Sequence, residues 1–286
     1  MDKKKLNIIV KCISAILALA AFGVLVFGVK NYARGTDMSY QVVCLGDSNL
    51  GNYRDETGMT SLLEKNINKK VLNGAFGGTT MAYIGKEKTR YSGLFSLYNL
   101  SVSICNKNFA IQKSELAIVA KRDKIGYFGE TLDELSQVDF STVEILIIEH
   151  GINDYLGGVP VSNDEDKWDR DTFSGALRTS LKLLKETYPE LRIILVTPTF
   201  CAVPDENGLF RDCNKYSYGG GYLEEYVEAE LKVAKEMGVE VIDGYHLSGI
   251  TADNFEAYLL DGLHLNEKGR KIIADLWIEY ILGEEQ

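Results

Sequence analysis

Residues 40–49 read Tyr-Gln-Val-Val-Cys-Leu-Gly-Asp-Ser-Asn, a short β-branched apolar run that ends in a glycine, an acid and a serine. Further runs of this kind lie at Lys70–Leu72, Val143–Glu149, Arg192–Thr197 and Val239–Ile242. Stretches with helical spacing separate them: Thr57–Asn66, Thr172–Thr187 with Leu177, Leu181 and Leu184 on one stripe, Tyr222–Met237 and Glu267–Leu282. Strands alternating with helices predict βαβ units and a parallel sheet, hence an α/β fold. Asn266 is placed to cap the last helix, whose Ile272, Ile273, Leu276, Trp277 and Ile281 form its inward stripe. Residues 81–138 break the alternation with several Tyr and Phe and a helix-like run from Phe95 to Arg122. They are expected to form an insertion packed over the carboxyl edge of the sheet, where open parallel sheets bind ligands.

The 286 residues are 45% hydrophobic and 25% charged with four Pro, which excludes disorder and collagen-like repeats. The formal charge of −10 leaves no broad cationic face for a phosphate backbone, so nucleic acid is not an expected partner. Cys12, Cys44, Cys105, Cys201 and Cys213 contain no Cys-x-x-Cys pair, and the three His are far apart. No metal site and no cofactor is expected.

Charge is unevenly placed. Residues 1–35 carry Lys3, Lys4, Lys5, Lys11, Lys30 and Arg34 against Asp2 alone, which leaves −15 on the rest of the chain. Cys12–Val29 is uninterrupted by charge, and residues 6–29 are long enough for a bilayer core. The only Ala-x-Ala, Ala18 to Ala20, lies in mid-stretch, so a retained signal anchor fits better than a cleaved signal peptide. With four of the six basic residues ahead of the apolar core, the N-terminus is expected in the cytoplasm and residues 36–286, one domain, outside it.

Three of the strands end in loops that carry chemistry. Gly46-Asp47-Ser48-Asn49 presents a hydroxyl just past a strand, where Gly permits a sharp turn. Asn73-Gly74-Ala75-Phe76-Gly77-Gly78-Thr79-Thr80 lets backbone amides approach a ligand closely. Glu149-His150-Gly151-Ile152-Asn153-Asp154 offers the Asn153 amide as an oxyanion donor. Near the C-terminus, Asp261-Gly262-Leu263-His264 spaces acid and imidazole by three, so that Asp261 can hold Nδ1 and leave Nε2 to take the proton of Ser48.

These four blocks resemble those of the SGNH hydrolases, also called the GDSL esterase and lipase family, over residues 40–282. The resemblance implies a three-layer α/β/α sandwich with a flavodoxin-like five-stranded parallel sheet. It implies Ser48 as nucleophile, His264 as general base and then acid, and Asp261 as its orienter. The implied oxyanion hole is the Ser48 N–H, the Gly78 N–H, with Gly77 the other choice, and the Asn153 side chain. Two features depart from the family: the long interval from Gly78 to Gly151, and Leu265 where many members have Pro before the Asn. The Gly-x-Ser-x-Gly elbow of α/β-hydrolases is missed by one position at Gly46–Gly51.

Other polar residues read as structural. His150 ends an apolar strand and is expected to be hydrogen-bonded there, and His246 to face solvent. Cys201 and Cys213 flank a loop that a disulfide would close outside the cytoplasm. The acidic group Asp164, Glu165, Asp166, Asp169 and Asp171 lacks the glycine and terminal Glu of a calcium loop and reads as a solvated helix start. The expected function is an anchored extracytoplasmic serine esterase acting on O-acetyl esters of envelope carbohydrate. An envelope O-acyltransferase, a lipase or lysophospholipase, and a non-catalytic envelope-binding module are the alternatives.

Overall fold

The apolar runs pair as strands of one parallel sheet. A computed structural model describes residues 39–83, 91–119 and 126–283. The expected anchor at residues 6–29 lies outside them, and among the described residues no helix is long and apolar enough to cross a membrane. The first part of the chain forms β1 (Val42–Gly46), α1 (Ser48–Gly51), α2 (Met59–Ile67) and β2 (Val71–Asn73). Next come α3 (Tyr91–Leu94), α4 (Leu97–Cys105), α5 (Ala110–Val119), α6 (Phe128–Leu135), β3 (Ile145–Glu149), α7 (Ile152–Leu156) and α8 (Phe173–Thr187). The remainder is β4 (Arg192–Val196), β5 (Ala202–Pro204), β6 (Phe210–Asp212), α9 (Leu223–Met237), β7 (Glu240–Ile242), α10 (Gly244–Leu247) and α11 (Glu267–Gly283).

The main sheet has the order β2-β1-β3-β4-β7, all parallel. That is the flavodoxin-like order, whose crevice opens where the chain reverses direction, between β1 and β3. β1 and β3 are buried at every position, as strands covered on both faces must be. Two groups of helices supply the cover: α2 packs on α11, while α4 and α9 pack on α8. Caps fix the helix starts. Thr172 Oγ1 accepts the Gly175 N–H at 3.2 Å for α8, and Asn266 Oδ1 accepts the Gly269 N–H at 3.1 Å for α11. Ile273, Trp277 and Ile281 of the α11 stripe are buried, with Ile272 and Leu276 half-buried beside them.

The segment 81–138 differs from expectation in one respect. Its helix-like run breaks between α4 and α5 where Lys107 adopts a left-handed φ of 51°. One of its helices, α4, packs on α8, and the Tyr188 hydroxyl just past α8 donates to the Ile104 carbonyl at 3.1 Å. A cluster of Phe76, Phe95 and Phe128 rings, with centroids 4.7–5.5 Å apart, joins it to the glycine-rich loop after β2. The residues expected as a loop between Cys201 and Cys213 form the β5–β6 hairpin instead. Cys201 and Cys213 face each other across it as free thiols, the Cys213 N–H donating to the Cys201 carbonyl at 3.1 Å.

Candidate active site

Register brings the first and third loops together. Gly46 pairs with Glu149, so β1 and β3 end level and the loops bearing Ser48 and Asn153 leave the sheet side by side. Asp47 caps α1 by accepting the Asn49 N–H at 3.0 Å, which places Ser48 on the first turn, 7% exposed. The last loop is fastened to the first by the Leu265 N–H, which donates to Asn49 Oδ1 at 3.0 Å. Arg270 holds it from behind, donating to the Leu265 carbonyl and to Thr57 while stacking on the Tyr53 ring at 3.8 Å. Gly262 has a φ of 80° and touches the β5 backbone so closely that a Cβ would collide with the Ala202 carbonyl.

These fastenings bring together residues separated by more than 200 positions. His264 Nε2 lies 3.0 Å from Ser48 Oγ, and His264 Nδ1 lies 2.7 Å from Asp261 Oδ2. With Nδ1–H donated to the carboxylate, Nε2 is left to accept the Ser48 hydroxyl proton. Asp261 also accepts the backbone N–H groups of Leu263 and His264 at 3.0 and 2.8 Å. Burial alone would raise its carboxyl, but the hydrogen bonds from His264 outweigh that and hold it below the usual range.

Asn153 Nδ2 donates to Asp47 Oδ2 at 3.1 Å, which spends one amide hydrogen and leaves the other for a ligand. Asp47 is fully buried, and desolvation pushes its carboxyl up to about 6 against the pull of the Asn49 N–H, His264 and the Asn153 amide. The sequence quoted Asp47 within the Gly-Asp-Ser turn without giving it a role. Its position after β1 and opposite Asn153 makes it the support of that amide.

In the glycine-rich loop the two neighbouring glycines differ in hydrogen bonding. The Gly77 N–H donates to the Tyr127 hydroxyl at 2.9 Å, whereas the Gly78 N–H has no acceptor among the described residues. Gly78 also has a left-handed φ of 73° and is partly exposed where Gly77 is buried. The Thr79 hydroxyl closes the turn on the Phe76 carbonyl at 2.7 Å. Just beyond, Asp154 accepts the Met81 and Ala82 N–H groups at 2.7 and 3.0 Å, and burial raises its carboxyl to about 7.

The other candidates fall outside this arrangement. His150 is fully buried, and desolvation lowers its imidazole to about 4, so it is neutral at pH 7. It is packed at the end of β3 as a structural residue, where a hydrogen bond to the Thr79 backbone partly offsets that lowering. His246 is on the surface as expected, yet its Nδ1 lies 2.7 Å from Asp243 Oδ2. Among the described residues no three His, Cys, Asp or Glu side chains converge to hold a metal ion.

The model of the GDSL-like lipase/acylhydrolase family matches residues 115–272, more than half of the chain. That stretch contains Asn153, Asp261 and His264 and stops short of Ser48 and Gly78. A human protein named isoamyl acetate-hydrolyzing esterase 1 homolog is 34% identical over 111 residues, 37% of this chain and 44% of that protein. The chain thus spans less than half the length of this relative. Among solved structures, a possible lipase from Chitinophaga pinensis superposes with a TM-score of 0.53 at 19% identity, covering 85% of this chain and 98% of the other. A carbohydrate acetylesterase from Sinorhizobium meliloti does so with a TM-score of 0.51 at 15% identity, with the same coverages. At these identities the likeness concerns the fold.

Proposed function

Because the chain belongs to the GDSL-like lipase/acylhydrolase family, we propose that it is a serine esterase in which Ser48, His264 and Asp261 carry acyl transfer. The observation that carries this reading is the chain of contacts from Asp261 through both ring nitrogens of His264 to Ser48 Oγ, at 2.7 and 3.0 Å. Ser48 Oγ attacks the ester carbonyl carbon while its proton passes to Nε2, and Asp261 stabilises the imidazolium. The carbonyl oxygen, now anionic, is held by the Ser48 N–H, the Gly78 N–H and the free hydrogen of the Asn153 amide. Collapse expels the alcohol, which takes the proton from His264. Water, deprotonated by the same nitrogen, then releases the acid and restores Ser48.

The finer reading is an enzyme held at the membrane by residues 6–29, its catalytic domain extracytoplasmic, acting on O-acetyl groups of envelope carbohydrate. The charge-free run between Lys11 and Lys30 supports the anchor. Acetate esters supply the substrate class, because both the isoamyl acetate-hydrolyzing esterase homolog and the carbohydrate acetylesterase carry acetyl substrates in their names. The test is hydrolysis of p-nitrophenyl esters of increasing chain length by the full chain in detergent, beside Ser48→Ala. Activity confined to acetyl and lost in Ser48→Ala is the expected outcome. A preference for long chains moves the substrate to lipid, and activity that survives Ser48→Ala removes the triad.

A further inference from the structure

The glycine-rich loop is held by a residue that belongs to neither of the loops it joins. Tyr127 immediately precedes α6, in the segment inserted between β2 and β3, yet its hydroxyl lies between the end of the Ser48 helix and the oxyanion loop. It accepts the Gly77 N–H at 2.9 Å and donates to Asn52 Oδ1 at 3.2 Å. Two glycines make room for it. A Cβ at Gly51 would stand 2.7 Å from the Tyr127 hydroxyl oxygen, and one at Gly77 would stand 2.9 Å away.

The ring is fixed as firmly as the hydroxyl. Arg54 lies over it at 4.5 Å and sends its own donors to three carbonyls, those of Gly51, Asn73 and Ala75, at 2.9–3.0 Å. One guanidinium therefore binds the end of the Ser48 helix to the start of the glycine loop, and its fork geometry suits three acceptors at once. Desolvation lowers the Arg54 pKa against the pull of Tyr127, Glu134 and Glu130, and a guanidinium stacked on a ring is held there by the cation–π attraction.

We propose that Tyr127 is a positioning residue for the oxyanion hole. By taking up the Gly77 N–H it keeps that amide from the substrate oxygen, and it fixes the backbone that leads into Gly78, whose own N–H has no acceptor among the described residues. Gly77 is itself close to the nucleophile, since a Cβ there would stand 3.5 Å from Ser48 Cβ. An orientation set so near the reacting atoms acts on the transition state more than on substrate binding. This assignment rests on the esterase reading and adds to it a residue that touches neither the nucleophile nor its base.

The experiment compares the full chain with Tyr127→Phe, which removes the hydroxyl and keeps the ring under Arg54. With p-nitrophenyl acetate, kcat is expected to fall about tenfold or more while KM stays within about twofold. Thermal unfolding run in parallel identifies any loss due to folding. Asn52→Ala, which leaves Tyr127 whole and removes its acceptor, is expected to lower kcat several-fold with the same KM. Ser48-dependent activity in the native chain that Tyr127→Phe leaves within about twofold overturns this assignment alone, as does a loss carried by KM. A native chain without ester hydrolysis overturns the esterase reading and this assignment together.

Discussion

The chain contains the same Asp-Gly-x-His spacing twice. Asp243-Gly244-Tyr245-His246 and Asp261-Gly262-Leu263-His264 lie eighteen residues apart, and each folds so that the carboxylate takes the backbone N–H and Nδ1 of its own histidine. The Nδ1 to carboxylate distance is 2.7 Å in both. What differs is the far side of the ring. His264 meets Ser48 Oγ, with 24% of its side chain exposed, whereas His246 has 52% exposed at the end of the edge strand β7 and its pair with Asp243 is screened by solvent. An acid and a base three residues apart are a property of the turn. Function depends on which strand end the turn is tied to, and only the second is tied to the Ser48 loop, through Leu265 and Asn49.

The largest effect that would sharpen this contrast is on turnover. His264→Ala is expected to lower kcat by at least about 10⁴-fold, and His246→Ala to leave it within about twofold, in steady-state assays of a short ester. Equal losses in the two variants would break the comparison. Asn153→Ala should cost about 10²–10³ in kcat with little change in unfolding, since the amide bonds Asp47 and, in the proposed reading, the oxyanion rather than the core.

A smaller effect concerns the glycines of the two turns. Gly262 has φ 80° and abuts the Ala202 carbonyl, while Gly244 has ordinary φ and a Cβ there would stand 3.0 Å from the Thr197 carbonyl. Gly262→Ala is therefore expected to destabilise by about 2–4 kcal/mol in urea unfolding and Gly244→Ala by about half that.

The smallest effect is on pH. Burial raises the folded-state carboxyls of Asp47, to about 6, and Asp154, to about 7, and it also raises those of Glu149 and Glu230. Their protonated forms favour the fold, so the stability they contribute is present in acid and lost as the pH rises through 6 and 7. Asp261, held low, works in the opposite sense and loses its contribution in acid. Tm is expected to be lower at pH 8 than at pH 5.5, with a shallower slope in Asp154→Asn.

How far each of these parts was legible in the sequence depends on whether its partner is near in sequence. The strands were legible because Val42, Ile145 and Ile193 sit in β-branched runs bounded by loop residues, and the long helices because their apolar stripes face the sheet. The proposed triad was legible because each member lies in a short motif at a strand end or a turn. Asp47, Arg54 and Tyr127 were not, because each acts on a backbone group or amide far along the chain. Asp47 meets Asn153 and Tyr127 meets Gly77, contacts that no local spacing encodes. The β5–β6 hairpin was missed for a related reason: its three-residue strands are too short to show alternation, and Ala202 is tied to the distant Gly262 carbonyl through its N–H.

The most direct test of the contrast between the two turns is covalent. The full chain is treated with a fluorophosphonate, which transfers phosphorus to an activated serine hydroxyl and releases fluoride, and the adduct is located by peptide mass spectrometry in the native chain, His246→Ala and His264→Ala. One adduct at Ser48, formed in the native chain and in His246→Ala and absent from His264→Ala, is the expected result. An adduct at another residue, or labelling of Ser48 that survives the loss of His264 and not of His246, would contradict the assignment of the second turn as the catalytic one.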